Sequence, residues 1–449
     1  MLTITIAVWL RLNTFWLPHI SNIEFQNLSL AIKLDNSGLS SYNLKGVDYE
    51  DFSLDGKTTL RELIIADTNE QGMVLKKMHQ KGILITDSLL STTSPGLPFL
   101  LMFSQKTIGK NNGYFISSTK LGKQVKYLKP GMLVYAQFYA VIIPFVFSLI
   151  LVLLTYLLGV RLFGKNTGLI AVFLMSTNPV SIFISQKLCP DEIGAVFLLL
   201  SVLVFIWGYN YKSLVIGLSS GLLLGIAALF APVSAFLFIG FLLFHYWEHK
   251  NKFTSIASIF NIILNPTMLL LMLGLIVPYT LWHFAIIHNF SYLQIFNYFG
   301  LNEGYAPVFL SNQRPAGLFI LLIGIPYLSP LLILSWMSFS KKIRSDVDYQ
   351  KQWVFPFLFF WIFTSLIMVL VFADNFEHRN VISVYPAIAL LSAFVINYLR
   401  LLGKKYTQNW KWIGADEIVI IILLISARWS FFLVDELIYN GSIIILKPF

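Results

Sequence analysis

From Gly131 to the C-terminus, long apolar runs alternate with short polar links. A helix needs about 20 apolar residues to cross roughly 30 Å of hydrocarbon. On that measure the pattern predicts spans near 133–160, 168–184, 192–209, 213–229, 233–247, 262–288, 316–338, 353–373, 380–400 and 417–434. The stretch Met1 to Pro18 holds one internal charge, Arg11, and has neither a basic leader nor an Ala-x-Ala cleavage site. It therefore reads as an uncleaved first span and not as a signal peptide. Residues 19–130 hold 23 of the 54 charged residues (32 Lys and Arg, 22 Asp and Glu), too many to cross a bilayer. That is also enough chain for a small domain resting on the membrane. The expected division is a first transmembrane helix (1–18), a first loop with membrane-resting helices (19–130) and a multi-span helical core (131–449). Outside the first loop there is no strand alternation, and the short alternating segments of a membrane β-barrel are missing. The expected fold class is an all-α polytopic membrane protein of about eleven transmembrane helices with an outward-facing first-loop subdomain.

Composition supports the same class. The chain is 57% hydrophobic and 12% charged, half the roughly 25% charge of a soluble domain. That excludes a soluble enzyme, a disordered chain and a collagen-like fibre. A net charge of +10 would suggest nucleic acid in a soluble protein. Here it sorts by compartment. With the N-terminus in the cytoplasm, the inner links carry 13 basic residues, from Arg161 to Lys411, and the short outer links only Lys187, Arg314 and Arg379. The positive-inside rule then turns the first loop and the C-terminus outward. The basicity is an orientation signal, and no nucleic-acid partner is expected. The single cysteine, Cys189, excludes an internal disulfide and a thiolate zinc cluster.

Charges within spans usually mark ion or proton pathways. The span interiors here hold only Arg11 and Arg428, with His283 as a polar addition. Both arginines read as snorkelling side chains or helix–helix contacts. The outer boundary is richer. Glu24 follows the first span, Asp191 and Glu192 open the fourth, Glu303 lies after the seventh, and Asp374, Glu377, His378 and Arg379 follow the ninth. A secondary transporter places its polar groups and broken helices near mid-membrane. A polar rim on one face better suits an enzyme whose substrate is half lipid and half polar.

Four stretches resemble the GT-C superfamily of membrane glycosyltransferases, in particular the branch of protein O-mannosyltransferases and lipid A aminoarabinose transferases. They are RLNTFWLPHISNIEF (11–25), STTSPGLPFLLMFSQKTIG (91–109), the Arg-Leu-Phe-Gly link with its helical hairpin and acid-opened span (157–203), and EHRNVISVYPAIALLSAFVI (377–396). Ile23-Glu24 stands where the family has an Asp-Glu pair. Ala231 ends a glycine-rich stretch that often ends in lysine there, and Asn380 replaces a tyrosine.

The resemblance implies transfer of a sugar from a polyprenyl-phosphate donor to a hydroxyl of a lipid, glycan or protein acceptor, by the inverting hexosyl or pentosyl transfer of the relatives. It places Glu24 as the base and Asp191 as a second catalytic acid orienting the acceptor or a metal. Both also read as helix-capping carboxylates. Arg379 is the expected donor-phosphate ligand, because a guanidinium pairs two phosphate oxygens in a fixed fork. His378 is its expected helper, Lys187 and Arg314 are alternatives to it that also read as snorkelling side chains, and Glu192 and Glu303 could touch the acceptor or a metal. No cofactor is required by the sequence, although oxygen ligands among these acids could hold Mg²⁺ or Mn²⁺. No zinc pattern is present. The aromatic loop 289–315 could line the donor groove or lie as an interfacial helix, and Asn-x-Ser sequons occur at Asn27, Asn289 and Asn440. Two rival readings are a flippase of lipid-linked sugars and a non-catalytic assembly partner of the same fold. The expected location is the bilayer of the plasma or inner membrane in a bacterium, or of the endoplasmic reticulum in a eukaryote.

Overall fold

Inside hydrocarbon an apolar run can satisfy its backbone N–H and C=O groups only within a helix or a closed barrel. The structure, a computed structural model, describes residues 2–14, 27, 31, 34, 94–108, 115–120, 123–128, 138–185, 187–209, 214–249, 265–286, 324–340, 343, 352–372, 381–407 and 414–439. Its helices are α1 (Leu2–Thr14), α2 (Gly96–Ile108), α3 (Phe138–Phe163), α4 (Lys165–Ser176), α5 (Pro179–Ile184), α6 (Asp191–Tyr209) and α7 (Leu214–Phe230). They continue as α8 (Leu237–His249), α9 (Pro266–Ile286), α10 (Val354–Phe372), α11 (Tyr385–Thr407) and α12 (Ala415–Tyr439). Among the described residues, four stretches are long and apolar enough to cross a membrane: Ile142–Phe163, Asp191–Gly208, Tyr385–Tyr406 and Ala415–Val434. Shorter apolar helices occupy α1 and α7 to α10. The core is helical and polytopic.

The first loop adds an antiparallel hairpin, β1 (Phe115–Lys120) and β2 (Lys123–Leu128), with Phe115 opposite Leu128 and Lys120 opposite Lys123. Only Leu121 and Gly122 separate the strands in sequence, the length of the commonest hairpin connection.

Two apolar runs differ from the unbroken helices the pattern predicts, each at a proline, and a third proline stands in the link between the predicted spans 213–229 and 233–247. The run 168–184 divides into α4 and α5. Asn178, before Pro179, is extended (φ −67°, ψ 118°), and its Oδ1 accepts the Ser181 N–H at 3.0 Å. Proline disfavours helical geometry in the residue before it. Ala231 is likewise extended before Pro232, where a short 3₁₀ helix, Pro232–Phe236, leads into α8. A second 3₁₀ segment, Pro330–Phe339, takes up much of the run 316–338 and is held to α11 by Ser392 Oγ donating to the Leu332 carbonyl at 3.2 Å.

Small residues decide how closely the helices approach. Gly164 (φ +95°) makes the turn between α3 and α4, and a Cβ on Gly159 would lie 2.8 Å from the Gly168 Cα across that hairpin. On α7, Gly217, Gly221 and Gly225 recur every four residues and form a flat strip against the backbone of α9. A Cβ at Gly217 would sit 2.7 Å from the Thr267 carbonyl oxygen, and one at Gly225 2.6 Å from that of Leu275. Membrane helices rely on such close packing because lipid supplies no hydrophobic drive for their association. Gly221→Leu is therefore expected to push α9 off α7 at a cost of about 1–3 kcal/mol or more, read as a lower melting midpoint of the purified protein. Between α6 and α7, Ser201 and Ser220 each donate to the other's backbone carbonyl, at 2.8 and 2.9 Å.

The helix ends gather at two levels. At one, Arg400 and Lys404 near the end of α11 both reach Asp416 in the first turn of α12, each at 2.9 Å. At the other, Leu10, Ile182 and Val434 pack together. A separate cluster joins Ala31, Leu97, Leu101, Leu188, Ile193 and Phe230 around the start of α6. The candidate site lies at this second level.

Candidate functional site

The turn between α5 and α6 is wound tightly by its own backbone. Ser185 N–H donates to the Ser181 carbonyl at 3.0 Å, Lys187 N–H to that of Ile184 at 2.8 Å, and Cys189 N–H to that of Lys187 at 2.7 Å. Gly194 N–H then reaches back to the Pro190 carbonyl at 2.9 Å, so α6 begins with Asp191 and Glu192 in its first turn. Free N–H groups at that end favour negative charge. A residue at Gly194 larger than glycine would meet Ala231, whose Cβ would be 2.9 Å away. The end of α7 is thereby set against the start of α6.

The first loop holds this turn from outside. Asn27, Ala31 and Leu34 are helical and buried, at the four- and three-residue spacings of one helix face. The Asn27 amide donates to the Leu188 carbonyl at 2.9 Å. Leu188 and Ile193 pack with Ala31 and with Leu97 and Leu101 of α2. α2 in turn meets α9 through Phe99 and Trp282, whose rings stand edge to face with centroids 5.1 Å apart. Because the Asn27 amide nitrogen is buried and engaged, its sequon is closed to a glycosylating enzyme. Mass analysis of the peptide bearing Asn27 is expected to find it unmodified.

Of the residues singled out in the sequence, Lys187 and Asp191 stand on this one turn, both partly exposed. The Lys187 ammonium rests 5.4 Å from the centroid of the Phe183 ring. Glu192 is placed differently from its neighbour: it points inward and is 0% exposed. Glu24, Glu303, Arg314, His378 and Arg379 lie outside the described residues, as does the loop 289–315. Among the described residues no group of three His, Cys, Asp or Glu side chains could hold a metal ion.

Beneath the turn lies a polar cluster that reading the sequence one span at a time does not reveal. Arg11 is also 0% exposed and is not snorkelling. Its Nε donates to Ser148 Oγ at 2.6 Å and its Nη2 to Ser181 Oγ at 2.8 Å. Nη1 reaches the Ser176 carbonyl at 3.2 Å, one of the acceptors left open at the end of α4, and the Ala7 carbonyl at 3.3 Å. Ser181 passes the interaction on, its hydroxyl donating to Glu192 Oε1 at 2.8 Å. The bonds made by ionised partners are the strong ones. Among the described residues, Glu192 Oε2 and Asn178 Nδ2 are buried without hydrogen-bond partners. The only sequence signal of this cluster is a pair of opposite charges at the ends of two apolar runs. Arg428, by contrast, is exposed on α12.

Comparison with known proteins bears on the fold that carries this turn. The family model for dolichyl-phosphate-mannose-protein mannosyltransferase matches residues 133–282, which include the whole turn from Lys187 to Glu192. No curated protein matches the chain in sequence. The crystal structure of ArnT from Cupriavidus metallidurans bound to undecaprenyl phosphate superposes on 97% of this chain and 72% of its own, with a TM-score of 0.53 and 10% identity. AglB, the oligosaccharyltransferase of Archaeoglobus fulgidus, in complex with an inhibitory peptide and a dolichol-phosphate, covers 96% of this chain and 55% of its own, at a TM-score of 0.50 and 11% identity. The chain has the GT-C fold of these two structures over nearly its whole length.

Proposed function

We propose that the protein is an integral membrane glycosyltransferase that moves a sugar from a polyprenyl-phosphate donor to an acceptor hydroxyl on the extracytoplasmic face. The observation that carries this reading is the superposition of 97% of the chain on an ArnT structure bound to undecaprenyl phosphate. The mannosyltransferase family model adds to it over the segment that holds the turn. The topology proposed with it has about eleven spans, with the first loop and C-terminus outward.

The chemistry asks for three things. A carboxylate must take the acceptor proton, a contribution typically of 10²–10⁴-fold. A cation must offset the charge that grows on the departing phosphate, most effectively where water is excluded. The prenyl chain must have access from lipid. In this reading Glu24 is the base and Asp191 orients the acceptor or a divalent ion. Arg379 binds the donor phosphate with help from His378, and Lys187 or Arg314 is its alternative. Lys187 suits that task because its ammonium, resting over the Phe183 ring, is partly exposed on the same turn as Asp191. Direct attack of the acceptor on the anomeric carbon, opposite the phosphate, inverts the configuration there.

The test is purified protein in lipid nanodiscs supplied with dolichyl- and undecaprenyl-phosphate-linked sugars and candidate acceptors. The expected result is release of the lipid phosphate together with a new glycosidic bond of inverted configuration. Movement of the intact lipid-linked sugar across a vesicle membrane without bond cleavage would instead establish a flippase.

A further inference from the structure

The proposed chemistry makes no use of the two most deeply buried charges among the described residues. Arg11 and Glu192 are joined through the Ser181 hydroxyl, with the Ser148 hydroxyl beside it, and the cluster takes a group from each of five helices. These are Arg11 of α1, Ser148 of α3, the Ser176 carbonyl of α4, Ser181 of α5 and Glu192 of α6. The planar guanidinium fixes the directions in which these partners can lie. Glu192 follows Asp191 immediately in the first turn of α6. Successive helical residues point about 100° apart, so a Glu192 side chain tied inward sets the direction in which Asp191 leaves the helix.

We propose that Arg11, Ser181 and Glu192 form a latch that holds the 187–192 segment closed over the bundle, and that Glu192 is thereby a positioning residue for Asp191. The latch joins the two parts of the chain that carry the proposed acids. Asp191 is the neighbour of Glu192, and the chain that leaves α1 after Arg11 carries Glu24 ten residues past Thr14. Packing points the same way. Asn27, Ala31 and Leu97 cover the turn on its outer side, and the cluster ties its inner side to α1.

The chain supplies its own reporter. Cys189, its single cysteine, sits in the middle of the turn and is 5% exposed. The 449-residue chain in nanodiscs is treated with a maleimide, and the rate of Cys189 modification is compared for wild type, Ser181→Ala, Glu192→Gln and Asp191→Asn. Ser181→Ala removes the hydroxyl bonded to both charges at 2.8 Å, while Glu192→Gln keeps an acceptor oxygen but removes the charge that answers Arg11. Both are expected to speed modification by about tenfold, the effect of one lost buried hydrogen bond, at temperatures well below the melting transition. Asp191→Asn is expected to leave Cys189 protected. Rates equal to wild type in both latch variants overturn the proposal, and so does acceleration that appears only as the whole protein melts.

A second readout, which alone rests on the glycosyltransferase reading, is steady-state sugar transfer. Glu192→Gln is expected to lower kcat and leave the KM for the lipid-linked donor unchanged. An unchanged kcat beside a fast thiol reaction refutes the positioning role. If wild type itself transfers no sugar, the enzyme reading fails while the thiol result still decides the latch.

Discussion

Glu24→Gln and Asp191→Asn are each expected to lower sugar transfer, with Glu24→Gln costing roughly 10²–10⁴-fold if it removes the general base. Both substitutions keep the size and hydrogen-bonding reach of the side chain and remove only its ability to hold a negative charge or a proton. For Asp191 the stability cost is small and can be set apart. A partly exposed acid at a helix N-terminus gains about 0.3–1 kcal/mol from the free N–H groups there, so Asp191→Asn is expected to shift the melting midpoint by only a degree or two. Initial rates with a dolichyl- or undecaprenyl-phosphate sugar measure the loss. If the two acids act as one unit, the double variant falls little below the more damaging single one, because groups that act together are not additive. Full turnover in both single variants would remove the assignment of the base.

Arg11→Met and Glu192→Leu are each expected to destabilise the protein by about 3–5 kcal/mol, because each leaves the opposite charge buried without its counterpart. The double variant Arg11→Met/Glu192→Leu is expected to recover most of that loss. Ser148 and Ser181 are then released, and the Ser148 hydroxyl, inside α3, can turn back to the carbonyl four residues before it. Two apolar side chains would fill the space between them. Arg11→Lys falls between these cases: one ammonium supplies three donors but cannot reproduce the planar fork that reaches Ser148, Ser181 and the Ser176 carbonyl together. Unfolding in detergent across this cycle measures the coupling. Losses that simply add in the double variant would mean that the two charges do not depend on each other.

Some features of the site are legible in the sequence alone. Pro190-Asp191-Glu192 reads as a helix start, and α6 begins at Asp191. The glycine-rich segment on α7 is visible there as a family-like stretch. Other features are not. The run 168–184 reads as one span because its apolar residues outweigh a single proline, yet Asn178 and Pro179 break it and create α5, the helix that carries Ser181. Asp191 and Glu192 look equivalent at the rim. A difference of one position turns one to a partly exposed place and the other into the interior, and only the packing of α6 against α3 and α7, which leaves Glu192 facing Ser181 of α5, shows which is which.

The sequence alone determined that the protein belongs in a bilayer, that its core is helical and which turn carries acids beside a lysine. Hydrophobicity and helix-breaking act over a few residues and can be read along the chain. The tertiary structure alone decided the partners of the buried charges. Arg11 meets Ser148 from 137 positions away and Ser181 from 170. No local pattern encodes those distances, because the cost of a buried charge is met by whichever groups the packed helices bring to it.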